Sequence, residues 1–379
     1  MSQKAGLSMT TMKLELAQKL DLLDQHPKRM IIGFDGFVDE IIHAVDKRMD
    51  SITFTRIETM KAFAKRVEKA AGFSTNIELF PIIEKIGGNG PIMANALSQH
   101  PSDITYIGAL GYPHIHPVFQ PMSERAHLIS IAQAAHTDAL EFTDGKLMLG
   151  KMSCLNDVTF ERMIETIGEY RLIQMLSDVD LLATVNWSML PYMTDIWEQL
   201  IKEILPKVKI RENKPILFVD LADPEKREHD EIIRALDLLK SFETHFNVVL
   251  GLNHKEAYDV ANILNLAKSK DSLEHVNRVL YDYLKIYAVV IHPVDQSCAI
   301  IDGIYQHDFG PLAKHPKLTT GAGDNFNSGF VYGLMMGLST KESLLLGMAT
   351  SGFYVRQAKS PTLAELKIFL LAWAYDQLD

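Results

Sequence analysis

Leu318-Thr319-Thr320-Gly321-Ala322-Gly323-Asp324-Asn325-Phe326-Asn327-Ser328-Gly329-Phe330 follows a loop and opens an apolar helix that continues through Val331, Leu334 and Met335. Small residues at 321–323 let backbone amides approach an anion closely, and the helix start adds the positive end of its dipole. Such a place stabilises charge developing on a transferring phosphoryl group. Asp324, in the first turn, can accept the proton of an attacking alcohol. Gly329 permits close packing of the helix against a sheet. A glycine-rich turn with a following Asp is a common helix start. This one stands out because the pattern runs on for the whole stretch and lies near the end of a chain that alternates strands and helices.

Upstream, Met30-Ile31-Ile32-Gly33-Phe34-Asp35 reads as a short apolar strand ending in Gly and Asp. Strand-like runs recur at Ile104–Leu110, Leu181–Val185, Ile216–Val219, Asn247–Leu250 and Ala288–Ile291. Between several of them, 161–177, 192–204, 230–243 and 271–286 carry helical periodicity. The alternation implies an α/β fold, a doubly wound and mostly parallel sheet flanked by helices. The strands are apolar almost throughout, as expected when both sheet faces are covered. Two segments break the rhythm. Residues 51–56 and 138–152 read as edge or hairpin strands, the second turning at Thr143-Asp144-Gly145-Lys146. They predict a small β flap, or lid. Residues 1–29 read as an N-terminal helical extension, and 30–379 as one domain bearing the lid.

The formal charge of −10 and the absence of a basic, aromatic-studded stripe argue against nucleic-acid binding. Cys154 and Cys298, the only two cysteines, lie far apart without metal-ligand spacing and fit a reducing compartment. The first thirty residues scatter Lys, Glu and Asp where a signal peptide needs an apolar core. No uncharged run approaches the ~18 residues of a membrane span. The expectation is a cytoplasmic protein with neither nucleic-acid nor membrane partners. A dinucleotide oxidoreductase would need G-x-G-x-x-G after the first strand, and Gly33-Phe34-Asp35-Gly36 does not supply it.

Residues 318–330 resemble the C-terminal signature of the ribokinase, or PfkB, family of carbohydrate kinases, and the likeness spreads in order over most of 30–365. The resemblance implies a ribokinase-like fold, with Asp324 as catalytic base and the Gly321, Ala322 and Gly323 amides as anion hole. Leu318 stands where the family has Asp or Asn. A leucine side chain cannot help hold a monovalent cation, which puts that cation in doubt here.

Gly87-Gly88-Asn89-Gly90 and the helix after it resemble the family's N-terminal signature, implying sugar contacts at Gly87, Gly88 and Asn89. Ile92 occupies the family's usual Asn position; Asn89, in the loop, is the better contact. In Gly33-Phe34-Asp35-Gly36-Phe37-Val38-Asp39-Glu40, Asp39 best matches the carboxylate delivered to sugar hydroxyls, with Asp35 a close rival. A carboxylate can accept both hydroxyls of a diol. Asn253-His254-Lys255-Glu256 resembles a motif whose Asn and Glu organise Mg²⁺ beside the phosphates, largely through water. The same residues would also make a helix capping box. The family's glycine turn against the nucleotide is replaced by His292-Pro293-Val294-Asp295-Gln296-Ser297.

The resulting expectation is transfer of a phosphoryl group from ATP, with Mg²⁺, to a hydroxyl of a sugar or related polyol. Alternatives on the same fold are a nucleoside or vitamin-type kinase, and a binding relative without turnover. A homodimer through the lid is a further expectation from the resemblance.

Overall fold

The computed structural model describes residues 2–23 and 25–378, with side chains from residue 9 onward. Met1, Asp24 and Asp379, which fall within the expected ranges, lie outside the described residues. Strands β1 (Lys28–Phe34), β2 (Phe37–Arg48), β3 (Phe54–Arg56), β4 (Leu79–Gly87), β5 (Ser102–Gly108), β6 (Ala126–Ser130), β7 (Ala135–Phe142) and β8 (Gly145–Lys151) come first. Then follow β9 (Leu181–Thr184), β10 (Ile216–Asp220), β11 (Asn247–Leu252), β12 (Ala288–Ile291), β13 (Gln296–Ile301) and β14 (Ile304–Phe309).

Nine of them form one sheet in the order β14-β13-β12-β11-β10-β9-β1-β5-β6. From β6 to β12 neighbours are parallel; β13 and β14 close the far edge as an antiparallel pair. Side chains alternate between the faces, and both faces are covered. Leu217 and Val219 of β10 join one buried cluster, beneath helices such as His229–Phe242 and Leu273–Leu284. Ile216 and Phe218 join the other, beneath Ala322–Met335, Thr340–Gln357 and Leu363–Ala374. The expected mostly parallel sheet flanked by helices on both faces is what the chain adopts.

The lid is larger than the sequence suggested. It is a five-stranded sheet, β3-β2-β7-β8 with β4 paired to the other side of β2. Its central strand β2 continues from β1 after only Asp35 and Gly36. In 51–56 only Phe54–Arg56 is strand, and 138–152 divides into β7 and β8 around a turn at Thr143-Asp144. Helix Met60–Lys69 brings Met60 and Phe63 over Ile42, Ala44, Leu140 and Phe142, giving the lid its own apolar centre.

The N-terminal helix, Ser2–Lys19, packs against the last helix. Leu16, Ala17 and Leu20 are buried in the core cluster that includes Leu366 and Leu370 of the last helix. Lys19 pairs with Glu342 across this seam.

Candidate active site

The functional segments converge at the C-terminal ends of the parallel strands, where open α/β sheets place ligands. Gly321 takes a left-handed conformation, φ 88°, and caps helix Ala322–Met335. A side chain there would be strained, and its Cβ would press on Tyr354 Oη at 2.9 Å. Ala322 donates its amide to the Thr319 carbonyl at 3.1 Å, so that member of the expected anion hole is committed locally. The amides of Gly323 and Asp324 lie in the first helical turn, where no carbonyl precedes them by a full turn.

Asp324 faces Asn89, whose Nδ2 donates to its Oδ1 at 3.0 Å. Burial, then the nearby Asp35 carboxylate and Glu256, push the Asp324 carboxyl up to about 8. Asp220, at the end of β10, is held well above its ordinary range by burial and by Glu256 and Asp324. Its Oδ2 accepts from Asn327 Nδ2 at 3.0 Å. Glu256 is also raised, chiefly by burial.

Asn253 and Glu256 do form the capping box of helix His254–Ile263. The Glu256 carboxylate accepts the Asn253 amide at 2.9 Å and the Asp223 amide at 3.1 Å. This oxygen-rich group of mutually repelling acids fits a hard divalent cation such as Mg²⁺, which needs few direct protein ligands. Asp220, with Glu256 behind a water shell, would hold it.

Asp35 is bonded on all sides within the protein. It is fully buried, and its carboxylate accepts the Asn89 amide, the Gly90 amide, Asn186 Nδ2 and Tyr106 Oη, at 2.9, 2.9, 2.6 and 3.3 Å. With its oxygens so occupied, it fixes the start of helix Asn89–Leu97. Gly88, at φ 94°, is needed because a Cβ would stand 2.8 Å from Asp35 Oδ2. Asp39 lies on β2 with its carboxylate over Gly87, and burial raises its pKa while Lys85 opposes the shift.

Beside these groups opens a cavity of about 420 Å³. One end is polar, with Asn89, Asp220, Asn253, Glu256 and Asp324; the other is an apolar slot including Pro293, Val294, Pro311, Leu312, Met348 and Val355. Polar groups at a helix N-terminus joined to an apolar lining suit a nucleotide with its phosphates inward.

The family model for prokaryotic ketohexokinase matches residues 10–373. The chain belongs to the prokaryotic ketohexokinase family. It is 27% identical over 344 residues to the ketohexokinase of Haloferax volcanii, covering 90% of each chain. A 5-dehydro-2-deoxygluconokinase of Bacillus thuringiensis is 31% identical over 129 residues, 33% of this chain and 38% of that one. In fold it is similar to Arabidopsis thaliana ribokinase complexed with ribose and ATP, with a TM-score of 0.61 at 15% identity, covering 91% and 99%. This ketohexokinase-family chain is a sugar kinase, a phosphotransferase with an alcohol acceptor.

Within this ketohexokinase-family site the structure brings together Asp324, Gly321–Gly323, Asn89, Asn253 and Glu256. Leu318 lines a separate cavity with Ile92, Thr320 and Tyr354. His292, its ring tilted by 30° against that of Phe326 at 4.8 Å, lines the nucleotide-sized cavity, and burial pushes its imidazole down to about 4. Sequence reading missed Asp220, Asn186 and Tyr106. Asp220 and Asn186 carried a readable signal, each a polar residue directly after an expected strand run, Ile216–Val219 and Leu181–Val185. The expected strand Ile216–Val219 stops one residue short of Asp220.

Proposed function

We propose that this chain transfers the γ-phosphoryl group of ATP to a hydroxyl of a ketohexose, with Asp324 as the base. The observation that carries this reading is Asn89 bonded to Asp324 at the start of helix Ala322–Met335, at the polar end of the cavity. The γ-phosphate would lie against the Gly321 and Gly323 amides. Its nucleoside would occupy the apolar slot beside Met348 and Val355. Asp39, with Gly87 and Asn89, would hold the sugar hydroxyls, while Asp35 positions the loop. Bound Mg²⁺ would neutralise charge on the phosphates and among Asp220, Glu256 and Asp324.

Asp324 would draw the proton from the acceptor hydroxyl as the phosphoryl group moves, and the lid would exclude water. The protein would work in the cytoplasm, where ATP is abundant. The lid exposes Leu79, Ile82, Ile83, Met148 and Leu149, which supports pairing of two lids in a homodimer. Light scattering of the purified protein tests that pairing.

The functional test is a panel of ketohexoses, aldohexoses, sugar acids and nucleosides assayed for ADP release with MgATP. Ketohexoses should give the highest kcat/KM. Selective turnover of another class would replace the substrate assignment, and no turnover with ATP still bound would defeat the catalytic reading.

A further inference from the structure

The lid carries a second group of ligand-type side chains, on the face opposite Asp39. β2 and β7 run parallel, in the register Val38↔His136, Asp39↔Thr137 and Glu40↔Asp138. Because side chains alternate, Glu40, His136 and Asp138 share one face, and Asp39 and Thr137 share the other. His136 Nε2 lies 2.9 Å from Asp138 Oδ1 and 3.6 Å from Glu40 Oε2. One ligand atom from each of the three residues falls within 4.8 Å of the others. A cation bonded to N and O at about 2.0–2.2 Å sets neighbouring ligand atoms roughly 3–3.5 Å apart, close to these spacings.

The surroundings favour a cation. Glu84 of β4 is the cross-strand partner of Glu40 and so projects to the same face. Glu84, Glu40 and Asp138 thus form a row of carboxylates across β4, β2 and β7. Lys151 Nζ bonds Asp138 Oδ2 at 2.8 Å, and His116 Nδ1 stands 3.9 Å from Glu84. A single ammonium cannot balance the row. The Lys151 side chain is 66% exposed and can swing into water.

We propose that Glu40, His136 and Asp138 bind a divalent first-row cation of the Zn²⁺ or Co²⁺ type. Mixed imidazole and carboxylate donors suit such ions better than Mg²⁺, which prefers oxygen alone. The ion would join β2 to β7 on both sides of the Asp39↔Thr137 rung, bracing the lid where the acceptor sugar is expected. The competing arrangement is a plain ion-pair network closed by Lys151.

Metal-free protein, without nucleotide or Mg²⁺, would be titrated with Co²⁺ and followed by visible absorption. One Co²⁺ per chain should give a ligand-field band that Zn²⁺ displaces. His136→Ala should abolish the band and weaken binding by about 10-fold or more. Lys151→Met, which removes the competing ammonium and leaves every ligand, should tighten binding. Glu256→Gln should leave the band unchanged, separating this site from the nucleotide cavity. No stoichiometric band, a band that survives His136→Ala, one that Glu256→Gln removes, or weaker binding in Lys151→Met would overturn the proposal.

Discussion

Asn89 Nδ2 donates to Asp324 Oδ1 at 3.0 Å, joining segments 235 residues apart in the chain. The bond favours the ionised carboxylate, opposing the burial that raises its pKa. A hydrogen bond to a charged group contributes about 1.5–3 kcal/mol. Asn89→Ala should therefore lower kcat/KM about 10- to 100-fold near pH 7 and move the rising limb of the pH profile upward. A profile that loses height without moving would show that Asn89 acts on the sugar alone.

Asp324→Asn removes the base and little volume. Turnover should fall by about 10²- to 10⁴-fold, while calorimetry should find ATP and sugar binding nearly unchanged. Near-normal turnover would mean that another group takes the proton.

Burial and the neighbouring Asp35 and Glu256 push the Asp324 carboxyl up to about 8, so its base form gains with rising pH. The kcat/KM of the free enzyme should climb through that region and then level. Glu256 raises this pKa, so Glu256→Gln should shift the limb to lower pH. A shift the other way would remove Glu256 from the electrostatics of the base.

The same shift sets the pH dependence of stability. The folded state keeps the Asp324 proton up to about 8 and that of Asp35 up to about 6, against an ordinary 3.8. Between those limits the unfolded chain has released protons that the folded chain retains, so stability falls as pH rises. Asp324→Asn should thus melt higher than wild type by a margin that widens from pH 4 to 8 and then levels. A constant margin would contradict the raised pKa.

Tyr106 Oη donates to the Asp35 carbonyl at 2.7 Å and lies 3.3 Å from its carboxylate. Tyr106→Phe leaves these buried acceptors short of a donor, at a cost of about 1–3 kcal/mol in urea unfolding. It should also lower kcat, because the loop holding Asn89 loosens. Unchanged stability would show that a water or another group replaces the hydroxyl.

How much of this was legible depended on where the relevant force acts. The parallel sheet was visible because apolar runs such as Val248–Leu250 must be buried on both faces. Asp324 and Asn89 were visible because glycines and a polar residue at a helix start make a local pattern. The lid was underread because β2 carries Asp39, Glu40 and His43 among apolar residues, and only its partners β4 and β7 stabilise it. The anchoring role of Asp35 was not legible because its four donors come from positions 89, 90, 106 and 186. No local pattern reports such a convergence.

Asp35 sits where β1 leaves the core sheet and β2 enters the lid. A load on the lid strand is therefore felt at the anchor of the loop carrying Asn89. Seating a sugar against Asp39 should act as a lever that draws Asn89 onto the base, so acceptor recognition and base alignment become one movement. Hydrolysis of ATP without sugar should accordingly be slow.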